Sequence, residues 1–135
     1  MSTELRVGYL LKHAMLSYLE RSTAALAPFD IDGRELAVLA RVDGPEPPSQ
    51  QELAARLEVD RTTMVGLVDA LEGKGLVARR PHPDDRRKNA VELTDRGRRT
   101  LAEAGAAADA AQAEFLAPLG AGAARFVADL LTLLG

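Results

Sequence analysis

The sequence has no cysteine, no tryptophan and, apart from His13 and His82, no imidazole. The lack of cysteine excludes disulfides, thiolate nucleophiles, thiol-based redox switches and the usual sulfur-ligated zinc sites. The sequence also lacks a run of about 18 uncharged apolar residues, the length that a membrane-spanning helix needs. Its first residues, "MSTELRVGYLLKHAML", carry charges where a signal peptide has its apolar core. We therefore expect a cytoplasmic protein that does not bind a membrane.

The composition is that of one globular domain spanning residues 1–135, with 47% hydrophobic and 27% charged residues. The net charge is -3, but nine Lys or Arg between Lys74 and Arg99 stand against four Asp or Glu. That segment therefore carries +5 and the rest of the chain carries -8. Such a basic island, from Lys74 to Arg99, indicates an anion-binding surface, although a solvated charge run has the same composition.

Helical periodicity dominates the first half of the chain. Residues 4–26 form a predicted helix that is apolar on more than one face. Asp32 and Glu35 then have the spacing of a capping box at the start of a short helix, which Gly44 and Pro45 end.

The segment "SQQELAARLEVDRTTMVGLVDALEGKG" predicts a helix, a tight turn and a second helix. Ser49 and Glu52 suit a capping box for the first helix, and Asp60 suits the N-cap of the second. The second helix has an apolar stripe at helical spacing, made of Met64, Leu67, Val68 and Leu71.

Two short strands and two helices are predicted next. "LVARR" and "NAVELT" suit the strands of a hairpin around a basic, proline-containing loop. Thr94 can cap a long alanine-rich helix to about Ala117, and a last helix runs from about Gly122 to Leu134. The predicted fold is mainly α with a small β-hairpin wing.

The outer face of the second helix has a composition that suits the major groove of DNA. Small residues permit close approach, hydroxyls reach base edges or phosphates, and Arg can bond guanine. The candidate residues are Arg61, Thr62, Thr63 and Gly66. Ser49, Gln50 and Gln51 begin the preceding helix, whose N-terminal N–H groups can hold a phosphate. An ordinary helical hairpin with a polar outer face would look the same.

The basic loop favours the DNA interpretation. A wing directly after a helix-turn-helix can grip the backbone beside the groove or place an Arg in the minor groove. Arg86, Arg87 and Lys88 are the candidates, and an aspartate paired with an Arg can fix the loop's shape before binding. His82 and Asp84 have no predicted role.

The segment "ELAARLEVDRTTMVGLVDALEGKGLVARRPHPDDRRKNAVELTDRG" resembles the winged helix-turn-helix core of the MarR (multiple antibiotic resistance regulator) family. Asp85 and Arg87 match the Asp-any-Arg of that family's wing, and Leu93 and Thr94 match the strand end that follows. The resemblance implies that Asp85 orients the wing arginine and that Arg87 enters the minor groove. Gly66 departs from relatives with a larger, often basic residue, so specificity is expected to depend more on Arg61, Thr62, Thr63 and the wing.

The terminal helices carry more apolar surface than one buried stripe needs, most clearly in "FVADLLTLLG". This favours a helical interface with a second copy, although a larger intramolecular core would also bury this apolar surface. The resemblance likewise implies a homodimer that binds a pseudo-palindrome. We expect residues about 32–99 to form the DNA-binding lobe, and residues about 4–26 and 100–134 to form the dimerisation region.

The resemblance also implies a small aromatic or lipophilic anion as effector, bound between the dimer region and the lobe. Tyr9, His13 and Phe29 are candidates for its pocket, although all three could be core or surface residues without a ligand. The sequence predicts no catalytic residue, metal site or cofactor, and hence no enzyme. The function predicted is a sequence-specific, double-stranded DNA-binding repressor. The alternative is a winged-helix adaptor that binds proteins.

Overall fold

The structure is a computed structural model, and it describes residues 2, 5–85 and 87–135. Within these residues the chain forms six α-helices and one β-hairpin. The elements, in chain order, are α1 (Val7–Leu26), α2 (Gly33–Val42), α3 (Gln50–Arg56), α4 (Arg61–Gly73), β1 (Val77–Pro81), β2 (Asn89–Leu93), α5 (Asp95–Leu116) and α6 (Ala123–Leu134). The predicted fold class is confirmed. The predicted start of the first helix, Glu4, lies outside the described residues.

The helices begin where the capping residues predict. Asp32 Oδ1 accepts from the Glu35 N–H at 2.9 Å, and Glu35 Oε1 accepts from the Asp32 N–H at 3.2 Å. This reciprocal pair satisfies two N–H groups that the first turn of α2 leaves without helical partners. The side chains of Ser49, Asp60 and Thr94 cap α3, α4 and α5 in turn.

The core of the winged helix lies between α2, α3, α4 and the hairpin. The predicted stripe of α4 points inward: Met64, Val68 and Leu71 are fully buried, and Leu67 packs against them. Between α3 and α4 the chain reverses at Glu58, whose φ of 54° is left-handed. Burial of this stripe leaves the opposite face of α4 exposed.

The hairpin is antiparallel, with Val77 opposite Leu93 and Pro81 opposite Asn89. It is fixed to the start of α3 because the Val91 N–H donates to the Pro48 carbonyl at 2.8 Å. The buried base of the wing is thereby held against the helix-turn-helix.

Gly97 allows α5 to lie directly against the turn that leads into β1. A Cβ at this position would collide with the carbonyl oxygen of Leu76, a backbone atom that cannot move aside. That carbonyl already accepts from the Thr94 N–H at 3.1 Å. The helix can pass here only without a side chain.

We expect Gly97→Ala to lower the free energy of unfolding by about 1–3 kcal/mol, because it overpacks a rigid contact. Gly105→Ala is the matched control in the same helix: its Cβ would meet nothing within 4 Å. The control should raise the free energy of unfolding by about 0.5–1 kcal/mol through helix propensity. Urea denaturation of both variants measures this difference, and equal stabilities would contradict it.

The terminal helices leave much apolar surface uncovered. Among the described residues, 13 large apolar side chains are exposed, all within residues 5–19 or 119–134. The helical stretch Asp95–Leu134 contains an 18-residue window of mean hydropathy 1.3, long and apolar enough to cross a membrane by length and composition alone. Single helices of this length and composition also occur in the cores of soluble proteins, and Gly120 interrupts the helical backbone within the stretch.

Candidate nucleic-acid interface

The start of α4 is the exposed part of the helix-turn-helix. Arg61, Thr62 and Gly66 are exposed, and Thr63 is half-buried. Asp60 Oδ1 accepts from the Thr63 N–H at 2.6 Å, and this backbone hydrogen bond lowers the pKa of Asp60. The cap fixes the first turn of α4, so the predicted residues are presented together on one rigid end.

The three residues predicted at the start of α3 have different environments. Ser49 is buried, and its Oγ accepts from the Glu52 N–H at 3.1 Å as the N-cap. Gln50 is half-buried, and its Oε1 accepts from Arg79 Nε at 2.6 Å. Gln51 is exposed. A phosphate at this helix end would therefore meet the Gln51 side chain more readily than those of Ser49 or Gln50.

The tip of the wing contains the contact predicted between Asp85 and Arg87. Asp85 Oδ1 accepts from the Arg87 backbone N–H at 3.0 Å and from Arg87 Nε at 3.2 Å. These bonds, the backbone bond first, lower the pKa of Asp85. The Arg87 side chain is nevertheless 90% exposed, so it is oriented but still accessible. Lys88 is also exposed, whereas Arg86 lies outside the described residues.

His82, which had no predicted role, lies between the wing and α3. Its side chain is only 13% exposed, and its Nε2 lies 3.8 Å from Glu52 Oε1. On the other side of the ring, Nδ1 accepts from the Asp84 N–H at 3.1 Å. The bond to Asp84 is local, whereas Glu52 is distant in the chain, so the proximity to α3 could not be predicted from the sequence.

The basic residues of β1 are engaged within the protein. Arg80 Nε bonds to Glu92 Oε1 on the neighbouring strand at 2.8 Å. Arg79 forms ion pairs with Asp69 and Glu72 of α4. Part of the basic island is therefore neutralised internally, while exposed positive charge remains at the wing tip and at the start of α5.

The far end of α4 is anchored by a buried ion pair. Lys74 Nζ lies 2.9 Å from Oε2 of Glu35, which is only 6% exposed, and it also donates to the Asp30 carbonyl. The hydrogen bond to Glu35 raises the pKa of Lys74 above its ordinary value of 10.5. The contribution of the Lys74 charge to the free energy of unfolding is therefore complete below pH 10.5. It is lost only as the pH rises through the higher folded-state pKa of Lys74.

The predicted effector residues do not line the apolar groove between the terminal helices. Tyr9 and His13 are exposed on α1 with ring centroids 4.2 Å apart, while Phe29 packs against the core. The groove has a volume of about 360 Å³ and lies between α1, α5 and α6. Its lining includes Leu11, Tyr18, Gln112, Phe115, Phe126 and Leu130. Within the described part of the chain, no group of three or more His, Asp or Glu could hold a metal ion.

Comparison with known proteins points to one family. Residues 33–88 match the MarR family. The transcriptional repressor CouR, in a structure bound to a 23-mer DNA duplex, is 32% identical over 98% of this chain and 95% of its own, with a TM-score of 0.87. CouR from Rhodococcus jostii RHA1 bound to p-coumaroyl-CoA is 30% identical over 99% of this chain and 94% of its own, with a TM-score of 0.84.

Curated sequences agree over shorter segments. The transcriptional repressor NicR of Pseudomonas putida is 35% identical over 96 residues, which are 68% of this chain and 58% of NicR. The chain spans between 32% and 58% of the length of the curated relatives it matches. The similarity to CouR, by contrast, includes both the winged helix and the terminal helices. The chain therefore belongs to the MarR family of transcriptional regulators, which are not enzymes.

Proposed function

We propose that the protein is a homodimeric, ligand-responsive repressor that binds a pseudo-palindromic operator in double-stranded DNA. The observation that carries this proposal is the exposed, capped start of α4 beside a wing whose tip presents an oriented arginine. A helix end and a flanking basic loop can engage a major groove and its neighbouring minor groove at once. Because the proposed function requires access to DNA, we place the protein in the cytoplasm.

The residues have distinct parts in this proposal. Arg61, Thr62 and Thr63 contact base edges, and Gly66 lets the backbone of α4 approach the groove. Arg87 enters the minor groove, oriented by Asp85. The predicted phosphate contacts come from the start of α3 and the rest of the wing, namely Ser49, Gln50, Gln51, Arg86 and Lys88. For Ser49 the contact would be made by backbone, since its side chain is the buried cap.

The homodimer is supported by where the apolar surface lies. Val127, Leu131 and Leu134 are spaced at i, i+4 and i+7 on α6 and form one exposed stripe, with Leu131 64% and Leu134 83% exposed. Leu16 and Leu19 are exposed on α1. A second copy can cover both helices and leave the DNA-binding lobes free. Two-fold symmetry then predicts half-sites about 34 Å apart, one turn of DNA.

The effector proposal draws on the ligand of CouR, which is an anion with an aromatic acyl group. A small aromatic or lipophilic anion bound between the terminal helices and the lobe would release DNA if it favoured an arrangement that does not fit the operator. Tyr9, His13 and Phe29 remain the proposed contacts. Because Tyr9 and His13 are exposed in one chain, a partner subunit would have to complete the pocket.

Selection from a random library of DNA duplexes tests the function. The protein should enrich one pseudo-palindromic sequence, and its affinity for that sequence should fall steeply with salt, because phosphate contacts release counterions. A slope of about -0.9 is expected for each phosphate neutralised. An adaptor with an apolar contact surface would enrich no sequence and would show little salt dependence, and this result would overturn the proposal.

A further inference from the structure

Arg79 contacts both helices of the helix-turn-helix. Its Nη2 lies 2.7 Å from Asp69 Oδ1, and its Nη1 lies 2.9 Å from Glu72 Oε1, both on α4. Its Nε donates to Gln50 Oε1 at the start of α3 at 2.6 Å, and Nη2 also reaches the Val65 carbonyl at 3.4 Å. One guanidinium on β1 therefore joins both helices of the helix-turn-helix, and its side chain is only 18% exposed.

The charges in this cluster matter because they lie on the helix proposed to enter DNA. Asp69 and Glu72 have side chains that are 61% and 44% exposed. Unpaired carboxylates on that helix would repel phosphates. Arg79 lies between them and cancels one of their two charges, so the helix presents less negative charge to the duplex.

The position of Arg79 also fixes geometry. A planar guanidinium with several acceptors holds them in one relative orientation, which a single ammonium cannot do. Here the acceptors belong to α3 and α4, while the donor belongs to the strand that leads into the wing. Arg80, the next residue, bonds across the hairpin to Glu92. The two adjacent arginines thus have separate structural tasks.

We infer that Arg79 is a positioning residue for DNA recognition. It sets the recognition helix against the wing and α3, and it screens Asp69 and Glu72, without contacting DNA itself. This inference rests on the proposed function, because it assigns a task within the same DNA interface.

The test compares Arg79→Met with Arg80→Met, which removes the same charge one residue away. Each variant is titrated with the duplex selected by the unmodified protein and with a scrambled duplex of equal length. Arg79→Met should reduce the ratio of the two affinities by at least about tenfold, the loss expected when a base contact is misplaced. Arg80→Met should leave the ratio within about threefold, since it breaks only an exposed pair.

The combined variant Asp69→Asn with Glu72→Gln keeps Arg79 and separates screening from folding defects. It should bind scrambled DNA more tightly, because two carboxylates that repel phosphates have been removed while Arg79 is kept. Arg79→Lys serves if Arg79→Met fails to fold by circular dichroism, and its affinity ratio should also fall. An unchanged ratio in the foldable Arg79 variant would overturn the inference, as would an unchanged affinity of the carboxylate variant for scrambled DNA. If the unmodified protein selects no sequence at all, the proposed function fails instead.

Discussion

Replacing Leu131 and Leu134 together with glutamate is expected to convert the proposed dimer to a monomer and to weaken operator binding by at least about 100-fold. Both residues belong to the exposed stripe of α6, and a charge buried there in an interface would lack a partner. A monomer loses the second half-site, which otherwise binds at high effective concentration. Sedimentation velocity measures the dissociation, and titration with the selected duplex measures the loss of affinity.

The matched control is Thr132→Glu, which adds a carboxylate to the polar face that Arg125 and Asp129 occupy with their ion pair. That variant should remain dimeric and should bind the operator nearly as the unmodified protein does. Dimers of the double-leucine variant would show that the stripe lies outside the interface. Monomers of Thr132→Glu would instead show that the whole circumference of α6 is covered.

Arg87→Gln is expected to weaken operator binding by about 10-fold to 100-fold and to make the salt slope shallower by about one. The exposed guanidinium is oriented toward solvent by Asp85 before DNA is present, so little side-chain freedom remains to be lost on binding. Its removal takes away one counterion-releasing contact. Fluorescence anisotropy at several salt concentrations measures both effects. An unchanged salt slope would show that Arg87 does not contact the DNA.

Asp85→Asn separates the orientation of Arg87 from its charge. The variant keeps the guanidinium but weakens its support, so affinity should fall several-fold while the salt slope is retained. The pKa of Asp85 is lowered from its ordinary value of 3.8, mainly by the Arg87 N–H. The contribution of the Asp85 carboxylate to the free energy of unfolding is therefore complete above pH 3.8. It is lost only as the pH falls through the lower folded-state pKa of Asp85. Titration of Asp85 should accordingly leave operator affinity unaffected between pH 5 and pH 8.

The helices and the hairpin could be predicted from the sequence because their determinants are local. Asp32 and Asp60 bond to N–H groups three residues away, and the stripe of α4 repeats within two turns. The contact of Asp85 with Arg87 is also local and could be predicted through the resemblance. These features depend on spacing along the chain, which the sequence displays directly.

The role of Arg79 could not be predicted, because nothing local separates it from Arg80. Adjacent residues of a strand point to opposite faces, and only the packing of the hairpin determines which arginine meets α4. Its acceptor Gln50 lies 29 residues earlier. The apolar groove could not be predicted either, because residues from three helices far apart in the chain form it.

The contact of Lys74 with Glu35 and the Asp30 carbonyl gives the lobe a mechanical property. It ties the end of α4 to the elbow where α1 passes into α2, by bonds that persist throughout the physiological pH range. The proposed recognition helix and this elbow are therefore joined and would move together. In the proposed dimer, a small tilt of α1 relative to the partner subunit would move the wing tip by a larger distance. The distance between the two recognition helices of the proposed dimer would thus depend on the elbow, far from the DNA.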